Sequence, residues 1–172
     1  MMAGGPPFVI RVETHDGLMA LTRAIRAEAD GKELRKELAK NMRESLKPSA
    51  AEAKSAIMGM GSTGPGTSPA LRSSIAKKVR PEVKLGGRWT GARIKAFKTK
   101  NVRGFPNAPK RTNRPRGWRH LVYGRPDSWV TQHGKSHWFD ESMDGAKFRA
   151  KQAVTEAMSN MADRIAARNR QN

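Results

Sequence analysis

Between residues 77 and 119 this chain carries 15 lysines and arginines and a single acid, Glu82. A stretch of that charge reads as an inserted or protruding segment with its own task. The flanking thirds are nearly balanced, with 11 basic and 8 acidic residues in 1–76 and 8 basic and 6 acidic in 120–172. They carry amphipathic patterning, so the fold is to be sought there. The net charge of +19 points to an anionic partner or neighbour.

At 172 residues, the length fits one domain over 1–172, with arms. Only 37% of residues are apolar and the mean hydropathy is −0.73, lean for a chain globular from end to end. With no cysteine, a disulfide scaffold, a cysteine-based zinc site and a thiol nucleophile are excluded. No apolar run approaches the roughly 20 residues of a membrane span. The first ten residues lack the charged and apolar regions of a signal peptide. The expected setting is cytoplasm or the inside of an assembled particle, with no membrane partner.

Phe8, Ile10 and Val12 alternate with Val9, Arg11 and Glu13, the period of a short strand. Asp16 is placed to cap a helix opening near Leu18. Leu18, Leu21, Ile25, Leu34, Leu38, Met42 and Leu46 recur at helical spacing, and Pro48 predicts a kink or restart. Residues 18–58 therefore read as one long bent or segmented helix. A Gly/Pro-rich loop follows over 59–70, then one or two helical turns through Leu71 and Ile75. Val79, Val83 and Leu85 suit a strand that Pro81 confines to an edge, and Ile94, Ala96 and Phe97 a return strand. Residues 98–117 hold three prolines, two glycines and no apolar periodicity, and read as a long exposed basic loop or arm. Trp118 to Tyr123 alternate as a last strand, and 128–140 form an aromatic-rich loop. Phe148, Val154, Met158, Met161 and Ile165 mark a closing helix over about 141–168. The predicted fold is α+β: an antiparallel sheet of three to five strands packed against the N-terminal helical region and the C-terminal helix, with the basic arm extended. Leu34, Leu38, Met42, Val122, Val154, Met158, Met161 and Ile165 are the expected core.

Chemistry is sparse. His133, His137 and Asp140 invite a metal reading, but Gly134 argues against the helix that such spacing needs. Ser73, Ser74 and the four histidines lie in no nucleophile elbow or triad context. The glycines of 59–66 lack the Gly-Lys-Ser/Thr ending of a phosphate loop. Asp140 and Glu141 suit a helix start. No catalytic residue, cofactor site or metal site is expected. The candidate contact residues are Lys95, Lys98, Lys100, Arg103, Phe105, Lys110, Arg111, Arg114 and Arg116, with Trp129 and Trp138 as exposed interface anchors. Phe97, Phe105 and Trp118 could stack on bases.

The order of parts resembles the small neck or tail-completion proteins of long-tailed bacteriophages, the family related to the minor tail protein Z type. Ser68-Pro69-Ala70-Leu71-Arg72-Ser73-Ser74-Ile75 matches its short segment, and Arg119-His120-Leu121-Val122-Tyr123-Gly124 its strand running into glycine. Ser136-His137-Trp138-Phe139 stands where that family has an aromatic segment before the last helix. The resemblance implies a virion structural protein: a ring of identical copies at the head–tail junction, around the DNA channel. Its implied partners are itself, head-closure or connector proteins, tail-terminator or tail-tube proteins, and packaged double-stranded DNA. The competing reading is a monomeric basic nucleic-acid-binding protein, nucleoid- or ribosome-associated. For the basic arm, Phe105, Pro106 and Pro109 offer docking points, which favours protein neighbours over DNA. Without apolar residues to offset ordering entropy, the arm is expected to be dispensable for folding.

Overall fold

The computed structural model describes residues 9–12, 15–61, 69–102, 104–122 and 125–169. Phe8, Ser68, Arg103, Tyr123, Gly124 and most of the 59–70 loop lie outside them. The order of elements is β1 (Val9–Val12), α1 (His15–Ala27), α2 (Gly31–Ser45), α3 (Lys47–Met58), α4 (Pro69–Lys78), β2 (Val79–Lys84), β3 (Gly91–Ala96), α5 (Ala108–Thr112), β4 (Trp118–Leu121), β5 (Trp129–Gln132) and α6 (Trp138–Asn169). The chain is α+β, but its strands form two small sheets instead of one. A three-stranded sheet has the order β1-β3-β2, and β4 pairs with β5 alone. Residues 128–140, expected as loop, thus supply a strand.

Residue contacts group the chain into two compact units, each assembled from separated segments. One, the helical unit, includes Ile10–Ala50, Pro81–Ile94 and Gly145–Asn172. The other, the basic unit, includes Ala51–Arg80 and Lys95–Asp144.

In the helical unit the N-terminal region is segmented. Helix α1 buries Leu18, Leu21 and Ile25, and α2 buries Leu34, Leu38 and Met42. These stripes let α1 and α2 pack on each other. Asp16 lies in the first turn of α1 and not ahead of it, where its charge still favours the helix dipole. Pro48 falls in the first turn of α3, where a missing N–H costs nothing, so it starts a helix and does not kink one. Helix α6 buries Ala146, Ala150, Val154, Met158, Met161 and Ile165 along one stripe. Phe148 is not part of it. Two residues from Ala150 it points to the opposite face, and it is 70% exposed. At the end of α6, Arg168 pairs with Asp30 at 2.8 Å and Arg164 with Glu37.

Strand β2 buries Val79 and Val83, with Leu85 continuing the period of two. It is an edge strand, the position its Pro81 requires. The six residues linking β2 to β3 are too few for a crossover, so the pair is antiparallel. Central β3 buries Ala92, Arg93, Ile94 and Ala96, hence side chains of both faces. Arg93 is tolerated there because Glu82 lies 2.5 Å away and the Trp89 ring 4.1 Å from its guanidinium.

Candidate functional site

The basic unit is held by polar side chains in the segment whose sequence is least legible as structure. Buried Thr99 donates its hydroxyl to the Phe105 carbonyl at 2.8 Å, and its N–H to the Pro106 carbonyl at 2.8 Å, closing the loop between them. Asn101 donates to the Ser74 hydroxyl at 3.3 Å. Helix α5 opens with Pro109 in its first turn and buries Ala108, Pro109 and Thr112. The Thr112 hydroxyl donates to the Ala108 carbonyl at 2.9 Å and accepts the Trp138 indole N–H at 3.2 Å. Asn113 then caps α6 from a distance. Its side-chain oxygen accepts the Phe139 N–H at 2.8 Å, its amide donates to Asp140 at 2.7 Å, and its carbonyl accepts the His137 N–H at 2.9 Å. These bonds serve backbone groups that a helix start leaves without an internal partner. They also hold His137, whose φ of 56° is left-handed.

The described residues of 98–117 are therefore folded, not an extended arm, and the expectation fails for a definite reason. Hydrophobic periodicity does not register order built from Thr99, Thr112 and Asn113. Trp138 is likewise no exposed anchor. It is fully buried, edge-on to Phe139 at 5.5 Å. Val122 is half-buried, not core. In the short segment of α4, Arg72 donates to the Met58 and Met60 carbonyls at 3.4 and 2.7 Å, closing off the end of α3.

Cations and rings are paired throughout this unit. Arg80 and Lys95 both converge on Phe97, at 4.5 and 4.7 Å from its centroid. Arg111 lies 5.3 Å from Phe105, whose ring also packs against Trp118 at 5.1 Å. Arg119 lies 5.4 Å from Trp129. The hairpin register explains this last pair: Arg119 faces Thr131 and Leu121 faces Trp129, so Arg119 and Trp129 are diagonal neighbours on one face. That register is set close by Gly117, at φ +64°, where a Cβ would collide with the Gln132 carbonyl. Lys98, Lys100 and Arg116 are exposed, and Lys110 and Arg114 half-buried. Arg103 lies outside the described residues. Arg80 and Arg119 are not singled out by the sequence. The strand period finds only Lys95, two residues from Phe97 on the same face, because Arg80 and Arg119 meet their rings across the chain.

Residues 95–119 contain nine basic side chains and no acid. Among the described ones none forms an ion pair; Glu82, the one acid of 77–119, is engaged by Arg93 in the helical unit. No family model, no curated protein and no solved structure matches this chain.

The groups considered for catalysis or metal binding are dispersed. Ser74 faces an amide and not a base. The His133 ring contacts the Pro115 carbonyl at 3.2 Å, while His137 lies 3.6 Å from Asp140. His120 donates from Nδ1 to the Leu121 carbonyl, and its Nε2 is buried without a hydrogen-bond partner. Among the described residues no three metal-ligating side chains gather, and no helix is long and apolar enough to cross a membrane.

Proposed function

We propose that this chain is a structural protein of the bacteriophage neck that acts without catalysis. Identical copies close into a ring joining the head connector to the tail around the DNA channel, in the virion, after synthesis in the host cytoplasm. Its neighbours are head-closure or connector proteins and tail-terminator or tail-tube proteins.

The observation that supports this reading most is β5. All four of its residues are exposed, with Trp129 at 51% and Val130 at 39%. A two-stranded ribbon is marginal in water, and natural edge strands avoid uncovered apolar side chains. A neighbouring copy covering that edge in a closed, head-to-tail ring removes both liabilities. Sedimentation of the full chain, alone and with connector and tail-tube proteins, tests the assembly. Trp129→Lys is expected to abolish it while leaving helicity intact. Absence of the chain from purified particles would overturn the reading. A second reading, a monomeric nucleic-acid-binding protein, is favoured by the basic side chains of 95–119, of which the described ones form no ion pair. It predicts a monomer under all these conditions.

A further inference from the structure

We propose that the basic unit binds double-stranded nucleic acid through the phosphate backbone, without sequence preference, using Arg80, Lys95, Lys98, Lys100, Arg116 and Arg119. The inference rests on this unit alone and not on a ring. A chain that enters particles but does not hold duplex loses only this proposal. A chain that holds duplex but is absent from particles loses only the neck reading.

The first observation is uncompensated charge. The segments 51–80 and 95–144 carry 16 basic residues against 5 acidic. Arg80 and Lys95 converge on one ring, and neither has a carboxylate partner among the described residues. Crowded like charges repel, and a polyanion relieves that repulsion while releasing its own condensed counterions.

The second observation concerns which partner the surface fits. An acidic protein would need apolar docking points beside the charge. The points the sequence suggested are largely spent within the unit: Pro109 is buried, and Phe105 is covered by Trp118 and Arg111. Pro106 and Trp129 stay exposed, and the Trp129 ring is already engaged by Arg119. Single-stranded nucleic acid would need free rings to stack upon. Here Phe97 already carries two cations, Phe105 and Trp118 cover each other, and the half-exposed ring of Trp129 is stacked by Arg119. What remains outward is charge at Lys98, Lys100 and Arg116. That is the chemistry of backbone contact, which positions a protein on a duplex but reads no bases.

The third observation is order. The loop closed by Thr99 and the helix α5 fix the backbone that carries these cations. Rings under Arg80, Lys95 and Arg119 restrict their rotamers before any ligand arrives, which lowers the ordering cost of binding. A guanidinium stacked by its face keeps its N–H edge free for phosphate.

The test is fluorescence anisotropy of the full chain with a labelled duplex of about 24 base pairs, titrated between about 50 and 200 mM salt. Two unrelated duplex sequences should bind alike, each with a steep salt slope. The combined variant Lys98→Gln, Lys100→Gln, Arg116→Gln should flatten that slope by about 0.9 for each phosphate no longer neutralised, and weaken binding at least about tenfold at the middle of the range. The control Lys32→Gln, Lys36→Gln, Lys40→Gln removes equal charge from exposed positions of α2 and should change the slope by less than the share of a single phosphate. Circular dichroism verifies that both variants keep wild-type helicity. The proposal is overturned if no duplex binds at the lowest salt, or if the control matches the test variant. It is equally overturned if a single strand of the same length binds more tightly, or if polyglutamate displaces duplex at equal charge concentration.

Discussion

Replacing Asn113 by alanine tests whether a polar node, and not an apolar core, orders the basic unit. Asn113 is 3% exposed, and its side chain makes two bonds to the start of α6. Losing the acceptor for the Phe139 N–H leaves a donor at a buried residue without that partner, which costs about 1–3 kcal/mol. The bond to Asp140 is charge-assisted, but that carboxylate is 46% exposed, so solvent limits its share to about 1 kcal/mol. The carbonyl that accepts from His137 survives the substitution. The expected loss is thus about 2–4 kcal/mol, read from urea unfolding followed by tryptophan fluorescence. Asn113→Asp makes a sharper variant. It keeps the acceptor but sets a second carboxylate against Asp140, so at neutral pH it should destabilise more than alanine. An Asn113→Ala protein within about 0.5 kcal/mol of wild type would refute the argument, because a change of that size is ordinary for a surface position.

Two further predictions follow from single contacts. Gly134→Ala drives a Cβ into the Thr112 carbonyl oxygen and to 2.7 Å from the Thr112 Cα; backbone must move, and calorimetry should find a loss of about 1–3 kcal/mol. Hydrogen bonding from Arg168, with its charge, holds the Asp30 carboxyl below its usual value, against the opposing effect of desolvation. With the folded value depressed, the stabilisation is complete above about pH 4 and is lost as acid passes through the lower folded value. The gap in melting temperature between wild type and Asp30→Asn should therefore close in acid; a gap that widens there contradicts the assignment.

The legible parts of the fold are those that bury apolar side chains at a regular period. The stripes of α1, α2 and α6, the edge position of Pro81, and the strand through Val79 and Val83 all follow from spacing alone. What spacing could not supply is order carried by hydrogen bonds between distant residues. Thr112 and Asn113 look like turn residues in the sequence, and only folding brings them to Trp138 and Phe139, some 26 positions away. Strand β5 escapes a sequence reading because all four of its residues are exposed, so it shows no buried face from which to read an alternation. The same limit applies to the site. Lys95 beside Phe97 is readable from a period of two. Arg80 reaches that ring, and Arg119 reaches Trp129, only through chain pairings that no local pattern encodes.

The folded state of 98–117 also reverses what its removal should do. An arm without a packed surface could be deleted at no cost to the domain. In the structure, deletion takes away Thr99, α5 and Asn113, and with them the partners of the Trp138 indole, the Phe139 N–H and Asp140. Trp138 is completely buried. A tryptophan buries about 150–250 Å², so exposing it fully forfeits about 4–6 kcal/mol at 25 cal/mol per Å². Half of that, added to the lost Asn113 bond to the Phe139 N–H, already approaches the lower range of total stability for a small domain. Deletion of 98–117 should therefore abolish near-ultraviolet dichroism from Trp138 and open Ala51–Arg80 and Lys95–Asp144 to limited proteolysis. A deletion variant that unfolds cooperatively at the wild-type midpoint would show instead that the segment is a detachable arm. The Lys98, Lys100 and Arg116 glutamine variant makes the complementary separation. It removes charge while sparing Thr99, Thr112 and Asn113, so it should weaken duplex binding at unchanged stability.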